Sequence, residues 1–452
     1  MARPKKNSKE SADRADGREI NGLWMPNDLA DLLEETAKEA AGKPMQSGPG
    51  SPLARLIGTF VERSLDAEMA EHLGYDRYQR QPPVEEEPVE RSKRNTRNGH
   101  SRKGLKTSFG ETRIEVPRDR QGSFEPQLVP KHQRVSQEIA ERIIGLYASG
   151  MTTTDLARHI SDMYGLEASS SLISRVVESV DPELRSWRNR PVESVALVLY
   201  VDALHVKVRQ STGVVSTAVY IASGYLESGQ LEVLGIWTAP EDTDGHAERS
   251  TFWHEALHQL RNRGLQTVLL ACSDDLPGLQ SALTVVWPKA LVTPCVVHLM
   301  RSSLRYVPHT RRKEVARGLK RIYQAASYEM AEAALEEFEA TDGSAYPSVV
   351  RRWRSKLGDL AILWQLSPTL RKMAYTTNPL ENINRQIRKA IKTRSVFPSN
   401  DSALRLITLV VRQINARATA KRARPDWPAM LEEAHALFQD QLPEEWGHRL
   451  RS

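Results

Sequence analysis

The chain has 452 residues, 63 Lys and Arg against 57 Asp and Glu, and a formal net charge of +6, which leaves room for two to four domains at roughly 100–200 residues each. A hydrophobic share of 40% excludes a disordered chain, and two cysteines, Cys272 and Cys295, exclude a disulfide framework and point to a reducing compartment. No apolar run reaches the roughly 18 residues of a membrane helix, and the basic N-terminus lacks the apolar stretch of a secretory signal, so a cytoplasmic location without membrane contact is expected.

In chain order, residues 1–50 read as a flexible basic arm. Residues 51–90 combine a helix and a linker. Leu53, Leu56, Ile57, Phe60, Val61, Leu65, Met69 and Leu73 repeat at helical spacing, Gly74 stops the helix, and the acidic, proline-rich QPPVEEEPVE follows. Residues 91–135 form a small β unit around a Phe109-Gly110-Glu111 turn and the alternating strand Thr112–Val116. Its residues 91–120 hold ten Lys and Arg against three acids, and Arg97, Arg102, Lys103, Lys106, Arg118 and Arg120 are its candidate phosphate contacts.

Residues 136–190 resemble a helix-turn-helix in pattern. A first helix ends at Gly150, a second is capped by Thr152 or Thr153, and a Ser-capped third turns Leu172, Ile173, Val176 and Val177 inward. The polar face of that third helix, Ser170, Ser171, Ser174 and Arg175, is a candidate groove reader. An ordinary solvated hairpin and a plain helical domain are the competing readings of these two segments.

The α/β core begins at 191. SVALVLYVD, GVVSTAVYIASGYL and QLEVLGIW read as an antiparallel meander. An amphipathic helix closed by Gly264, the strand QTVLLACSDD, a short helix and the strand ALVTPCVVH complete the first part by residue 309. Residues 310–370 carry helical signals only, 371–416 complete the core, and 417–452 form a basic and helical tail. This order of elements is that of an RNase H-like core. The expected fold class is therefore α/β, a mixed five-stranded sheet with helices, interrupted by an all-α insertion and preceded by helical and small β DNA-binding domains.

Three acids stand at telling places. Asp202 ends the first core strand, Asp274 ends the fourth, and Glu381 opens a later helix. Converging carboxylates repel one another, and divalent cations offset that repulsion. Two such ions, about 3.5–4 Å apart, suit phosphodiester chemistry, and Mg²⁺ fits a site of few carboxylates, with Mn²⁺ as a substitute. Each acid also has a plainer role. Asp202 could bind its own backbone, Asp274 or Asp275 could cap the next helix, and Asn378-Pro379-Leu380-Glu381 reads as a capping arrangement. After Glu381, the same helix carries Arg385, Arg388 and Lys392 in a stripe beside the apolar Leu380, Ile383, Ile387 and Ile391, a pattern that would track phosphates. Cys295 and His298 form a Cys-x-x-His pair without the four ligands a structural zinc needs, so burial at a strand end is the expectation. No nucleotide-binding loop is present, so no nucleotide cofactor is expected.

The run from GYDRYQ through NTRNGHSRKGLKTSFGETRIEVPRDRQGSF to LYASGMTTTDLARHI resembles the front half of the mutator-type insertion-sequence transposases of bacteria. VDALHVKVR, LEVLGIW, ACSDDLPGL, TPCVVHLMRSSLRYV and TTNPLENINRQIRK resemble their catalytic half. The resemblance covers about residues 55–415 and implies a DDE transposase that binds inverted repeats, frees a 3′-OH and joins it to target DNA, as a homodimer or larger assembly on paired ends of double-stranded DNA. It places the catalytic, metal-holding triad on Asp202, Asp274 and Glu381 and the family's Cys-x-x-His on Cys295 and His298. The family's usual Asp-Gly-Leu is Asp274-Asp275-Leu276 here. A DNA-binding protein that holds the ends without cutting, and an RNase H-like nuclease that cuts without joining, are the alternatives.

Overall fold

A computed structural model describes residues 17–20, 23–41, 50–77, 95–131, 134–211, 213–239, 246–273, 276–375, 378–419 and 426–442. The acidic linker at 81–90 and Asp274 lie outside them. Two units are present, residues 1–147 with 151–179, and residues 148–150 with 180–452.

In the first unit, part of the segment expected to be a flexible arm is ordered. Strands β1 (Gly17–Ile20) and β2 (Leu23–Pro26) pair antiparallel, and helix α1 (Asn27–Ala40) follows. Leu29, Leu32 and Leu33 already carry the helical period that the basic N-terminus obscures. Helix α2 (Pro52–Leu73) starts where the Ser51 hydroxyl accepts from the Ala54 amide and ends at Gly74, whose φ of 75° is left-handed. Its buried positions Ala54, Gly58, Val61, Leu65 and Met69 recur at three and four residues. They pack on a hairpin of β3 (Arg97–Thr107) and β4 (Gly110–Asp119), with Leu105, Ile114 and Val116 in the shared core. A Cβ at Gly58 would stand 2.8 Å from the Thr112 hydroxyl, so glycine sets how closely α2 approaches β4. The turn falls on Ser108-Phe109, and Gly110 already belongs to β4.

Helices α3 (Gln137–Ala148), α4 (Thr153–Tyr164) and α5 (Ser170–Glu178) follow. Thr152 caps α4 and Ser169 caps α5 through their hydroxyls, while Leu156, Ile160, Ile173 and Val177 are buried.

The second unit opens with α6 (Asp181–Arg188) and is built on strands β5 (Val195–Gln210), β6 (Gly213–Leu226), β7 (Leu231–Thr238), β8 (Thr267–Ser273) and β9 (Leu291–Pro294). The sheet order is β7-β6-β5-β8-β9. The meander β5-β6-β7 is antiparallel, and β5-β8 and β8-β9 are parallel. The first seven residues of β5 are all buried because both faces are covered. Helices α7 (His246–Asn262) and α8 (Leu279–Val286) cover one face, where Leu199 and Val201 meet Trp253, Leu257 and Leu283.

The other face carries α9 (Val296–Leu304) and then a run of helices, α10 (Arg312–Tyr323), α11 (Tyr328–Ala340), α12 (Pro347–Leu360), a 3₁₀ turn at Ala361–Gln365 and α13 (Pro368–Tyr375). Their core is continuous with the sheet. Val198, Tyr200 and Leu270 share one cluster with Val315, Phe338 and Trp353, and the Tyr200 hydroxyl donates to the Met373 carbonyl at 2.7 Å. The chain finishes with α14 (Asn378–Ile391), α15 (Asn400–Thr419) and α16 (Trp427–Phe438). Helix α15 shields the edge strand β7, where Asn415 accepts from the Val233 amide and donates to its carbonyl, both at 3.0 Å. A bidentate pair of Arg405 with Asp181, both bonds 2.6 Å, fastens α6 to α15 and holds the Asp181 carboxyl below its usual range.

Asp119 shows how a buried charge stabilises the first unit. Burial raises its pKa, but donation from the Asn95 amide, the Ser123 hydroxyl and the Phe124 and Ser123 amides outweighs burial and holds the carboxyl well below the usual range. A depressed folded-state pKa contributes stability above the unfolded value of about 4, and that stability is lost as pH falls toward the folded value. Asp119→Ala is expected to cost about 2–3 kcal/mol at neutral pH, with a smaller difference from wild type near pH 3, read from urea midpoints.

Candidate active site

Asp202 sits where β5 changes neighbours. The parallel pairing of β5 with β8 stops at Val201–Ser273, but antiparallel pairing with β6 runs on to Gln210–Gly213. Asp202 therefore lies in mid-strand and does not end it. The strand continues because Leu204, Val206 and Val208 keep an alternating buried face, and because Phe397 adds a bridge, its amide donating to the Lys207 carbonyl and its carbonyl accepting from the Arg209 amide, both at 2.8 Å.

Two helices converge on that point. The Cys295 amide donates to the Ser273 carbonyl at 2.8 Å, which pins the start of α9 to the end of β8. One turn later, His298 Nε2 lies 3.4 Å from Asp202 Oδ1, an oxygen that also accepts from the Ala203 amide at 2.7 Å. From α14, the Asn384 amide donates to Asp202 Oδ2. Two N–H donors, Ala203 and Asn384, with the His298 ring beside them, thus orient a carboxylate whose side chain is only 14% exposed.

Glu381 lies one turn before Asn384 on α14, and Arg301 lies one turn after His298 on α9. Those two meet, Arg301 donating to Glu381 Oε1 at 2.9 Å, with both side chains about half exposed. The helix pair therefore carries three contacts, one from each helix to Asp202 and one between the helices at Glu381. Asp274 follows Ser273 in the chain and lies outside the described residues. Among the described residues, no group of three or more His, Cys, Asp or Glu stands together as a metal site.

An open cleft of about 390 Å³ adjoins this carboxylate, with Ala203, His205, Ser273, Cys295 and His298 among its lining residues. Cys295 is half-buried, whereas burial, and then the nearness of Cys295, pushes the Cys272 thiol well up. Arg388 lines the same cleft, Arg385 bonds Asn382 at 2.9 Å, and Lys392 is exposed, so the stripe expected along α14 faces outward around buried Ile383 and Ile387.

The candidates in the first unit divide into two groups. Arg102, Arg118, Arg120, Ser171 and Arg175 are exposed, and Arg97, Ser170 and Ser174 are partly so. Lys103 and Lys106 turn inward. Lys103 donates to the Pro130 carbonyl, and burial, with Arg134 nearby, lowers its pKa. Lys106 donates to the Glu167 carbonyl and pairs with Glu111. Sequence reading missed Asn384 and Arg301. Asn384 was accessible in principle, since it stands three residues after Glu381 and so shares its face.

Residues 30–419 match the family model described as "Transposase, Mutator family". The chain belongs to the Mutator family of transposases. It is 35% identical over 381 residues to the transposase for insertion sequence element ISRM3 of Rhizobium meliloti (strain 1021), covering 84% of this chain and 90% of that one. It is 36% identical over 310 residues to a probable insertion-sequence transposase of Corynebacterium diphtheriae, covering 68% and 89%. A chain of the simian T-cell lymphotropic virus intasome in complex with PP2A regulatory subunit B56 gamma aligns with a TM-score of 0.16 and 13% identity, over 40% of this chain and 69% of that one, and carries no argument. No helix among the described residues of this Mutator-family chain is long and apolar enough to cross a membrane.

Asn384→Ala removes one donor from a mostly buried carboxylate. The expected cost is about 1–3 kcal/mol, read as a lower denaturant midpoint with an unchanged slope.

Proposed function

We propose that this chain is the transposase of an insertion sequence, that its second unit is an RNase H-like core, and that Asp202, Asp274 and Glu381 are its catalytic residues. The observation that carries the reading is the fixed Asp202 carboxylate at the end of the β5–β8 pairing, beside a cation-lined cleft, in a chain matched to transposases over most of its length.

The donor set fits Mg²⁺, with Mn²⁺ as a substitute. Asp202 and Glu381 offer hard carboxylate oxygens on neighbouring elements, and Asp274 follows in the chain directly after Ser273, the strand partner of Val201. Glu381 is available, because a half-exposed pair such as Arg301–Glu381 contributes no more than about 1 kcal/mol. Asp202, Asp274 and Glu381 would hold two such ions, which when bound activate the attacking oxygen and stabilise the leaving one.

The chain's own groups supply the rest. Asn384 and the Ala203 amide fix the Asp202 carboxylate, and Arg388 of α14 at the cleft holds the phosphodiester in line for attack. In the first reaction a water oxygen forms a bond to phosphorus, the bond from phosphorus to the 3′ oxygen breaks, and that oxygen leaves as a 3′-OH after taking a proton. In the second, the oxygen of that 3′-OH forms a bond to a phosphorus of target DNA, the bond from that phosphorus to its own 3′ oxygen breaks, and the departing oxygen leaves as a new 3′-OH, taking up a proton in balance with the one the attacking hydroxyl gives up. The exposed basic residues of the first unit would hold the terminal inverted repeats, and two or more copies would pair the ends. Ser171 in the first turn of α5 and Arg175 in its last would reach base edges.

The test uses duplexes copied from the DNA flanking the gene, incubated with Mg²⁺. Wild type is expected to cut and join them. Asp202→Ala is expected to lose both by about 10³-fold or more while binding the duplex with unchanged affinity. Metal-dependent cutting retained in Asp202→Ala overturns the assignment.

A further inference from the structure

One wall of the cleft beside Asp202 comes from the helical run that interrupts the sheet. Arg352 and Lys356, four residues apart on α12, line it together with Arg301 in the last turn of α9 and Arg305 just past it, and Arg388 of α14 is the fifth cation. No carboxylate is among the described lining residues, although Arg301 pairs with Glu381 at 2.9 Å and Lys356 with Asp359 at 3.5 Å from outside the lining. The two helices are locked together directly beneath these cations. Trp353, fully buried, donates its indole N–H to the Ser303 hydroxyl at 3.0 Å, and that buried hydroxyl donates to the Leu299 carbonyl at 2.7 Å. Arg352 flanks the buried Trp353 on one helix and Ser302 flanks Ser303 on the other, so the cationic walls are held at a fixed separation.

Five basic side chains around one cleft give it a positive potential that favours an anion. We propose that this cleft is a backbone clamp for a single DNA strand, and that Arg352 and Lys356 of the interrupting helices grip the phosphates next to the reacting one. A single strand is the occupant because the reaction proposed above acts on the phosphodiester of one strand at a time, and a cationic groove is what tracks a single backbone. A line of cations from three elements suits a repeating anion better than a lone one. The identity of the ligand rests on the function proposed above. The contribution of the interrupting helices is additional to it, since neither the carboxylates nor the basic β unit involves them.

The test measures binding in the full chain carrying Asp202→Ala, so that no strand is cut. The probe is a fluorescein-labelled single strand copied from the flank of the gene, read by anisotropy from about 50 to 200 mM salt. Removing two phosphate contacts with Arg352→Gln and Lys356→Gln together is expected to flatten the slope of log K against log salt by about 1.4, at about 0.7 per contact on a single strand. Arg351→Gln, on the same helix but outside the cleft, is the control and should leave the slope unchanged. If the double variant melts early, Lys356→Gln alone, with an expected change of about 0.7, carries the test. An unchanged slope, or an equal change in Arg351→Gln, overturns the clamp. A wild type that cuts no strand while the double variant still flattens the slope overturns the catalytic reading and leaves the clamp standing. A wild type that cuts, with a slope the double variant does not alter, overturns the clamp alone.

Discussion

Strand β5 has a different neighbour on each side, and it loses one of them at Asp202. Up to Val201 it lies between β6 and β8, with apolar side chains packed on both faces. Beyond that point only β6 continues beside it, so a polar group can stand in the gap without being entombed. On the other side of β8 the ladder with β9 runs on into the Ser273–Cys295 bond, which sets the start of α9. Helix α9 then delivers His298 to the carboxylate and Arg301 to Glu381. Position in the sheet thus comes first, and the chemistry of the cleft is arranged around it.

The elements that were legible in the sequence are those whose signal is local. The apolar runs of β5, β6 and β8, the caps at Thr152 and Ser169, and the glycine stop at Gly74 all appear where their residues place them. What stayed hidden depends on partners far away in the chain. Asn384 meets Asp202 across 182 residues, and Arg301 meets Glu381 across 80. Lys103 and Lys106 carry the same charge as exposed Arg102, and only the fold turns them toward carbonyls. Asp202 looked like a strand end because an acid interrupts an apolar run, although the alternation of Leu204, Val206 and Val208 already signalled continuation.

The segment between α9 and α14 reads in sequence as an interruption, yet it behaves as part of one core. Val315, Phe338 and Trp353 share a cluster with Tyr200 of the sheet, and Trp427 and Phe438 of α16 belong to it too. The Trp427 indole N–H also donates to the Glu227 carbonyl after β6, at 3.0 Å. These helices therefore replace solvent over one face of the sheet, as α7 and α8 do over the other.

That continuity constrains how the chain could be cut and recombined. A chimera that exchanges only residues 312–375 with those of a relative would import one half of a jigsaw and keep the other half, because the mating surface is shared among the sheet, α9 and the tail helix α16. The packing unit is discontinuous, with residues of 312–375 and 427–438 in one buried cluster although α14 and α15 lie between them in the chain. Tolerance to transplantation would then be governed by matched substitutions at Tyr200, Phe338 and Trp427, and the choice of junctions would matter little.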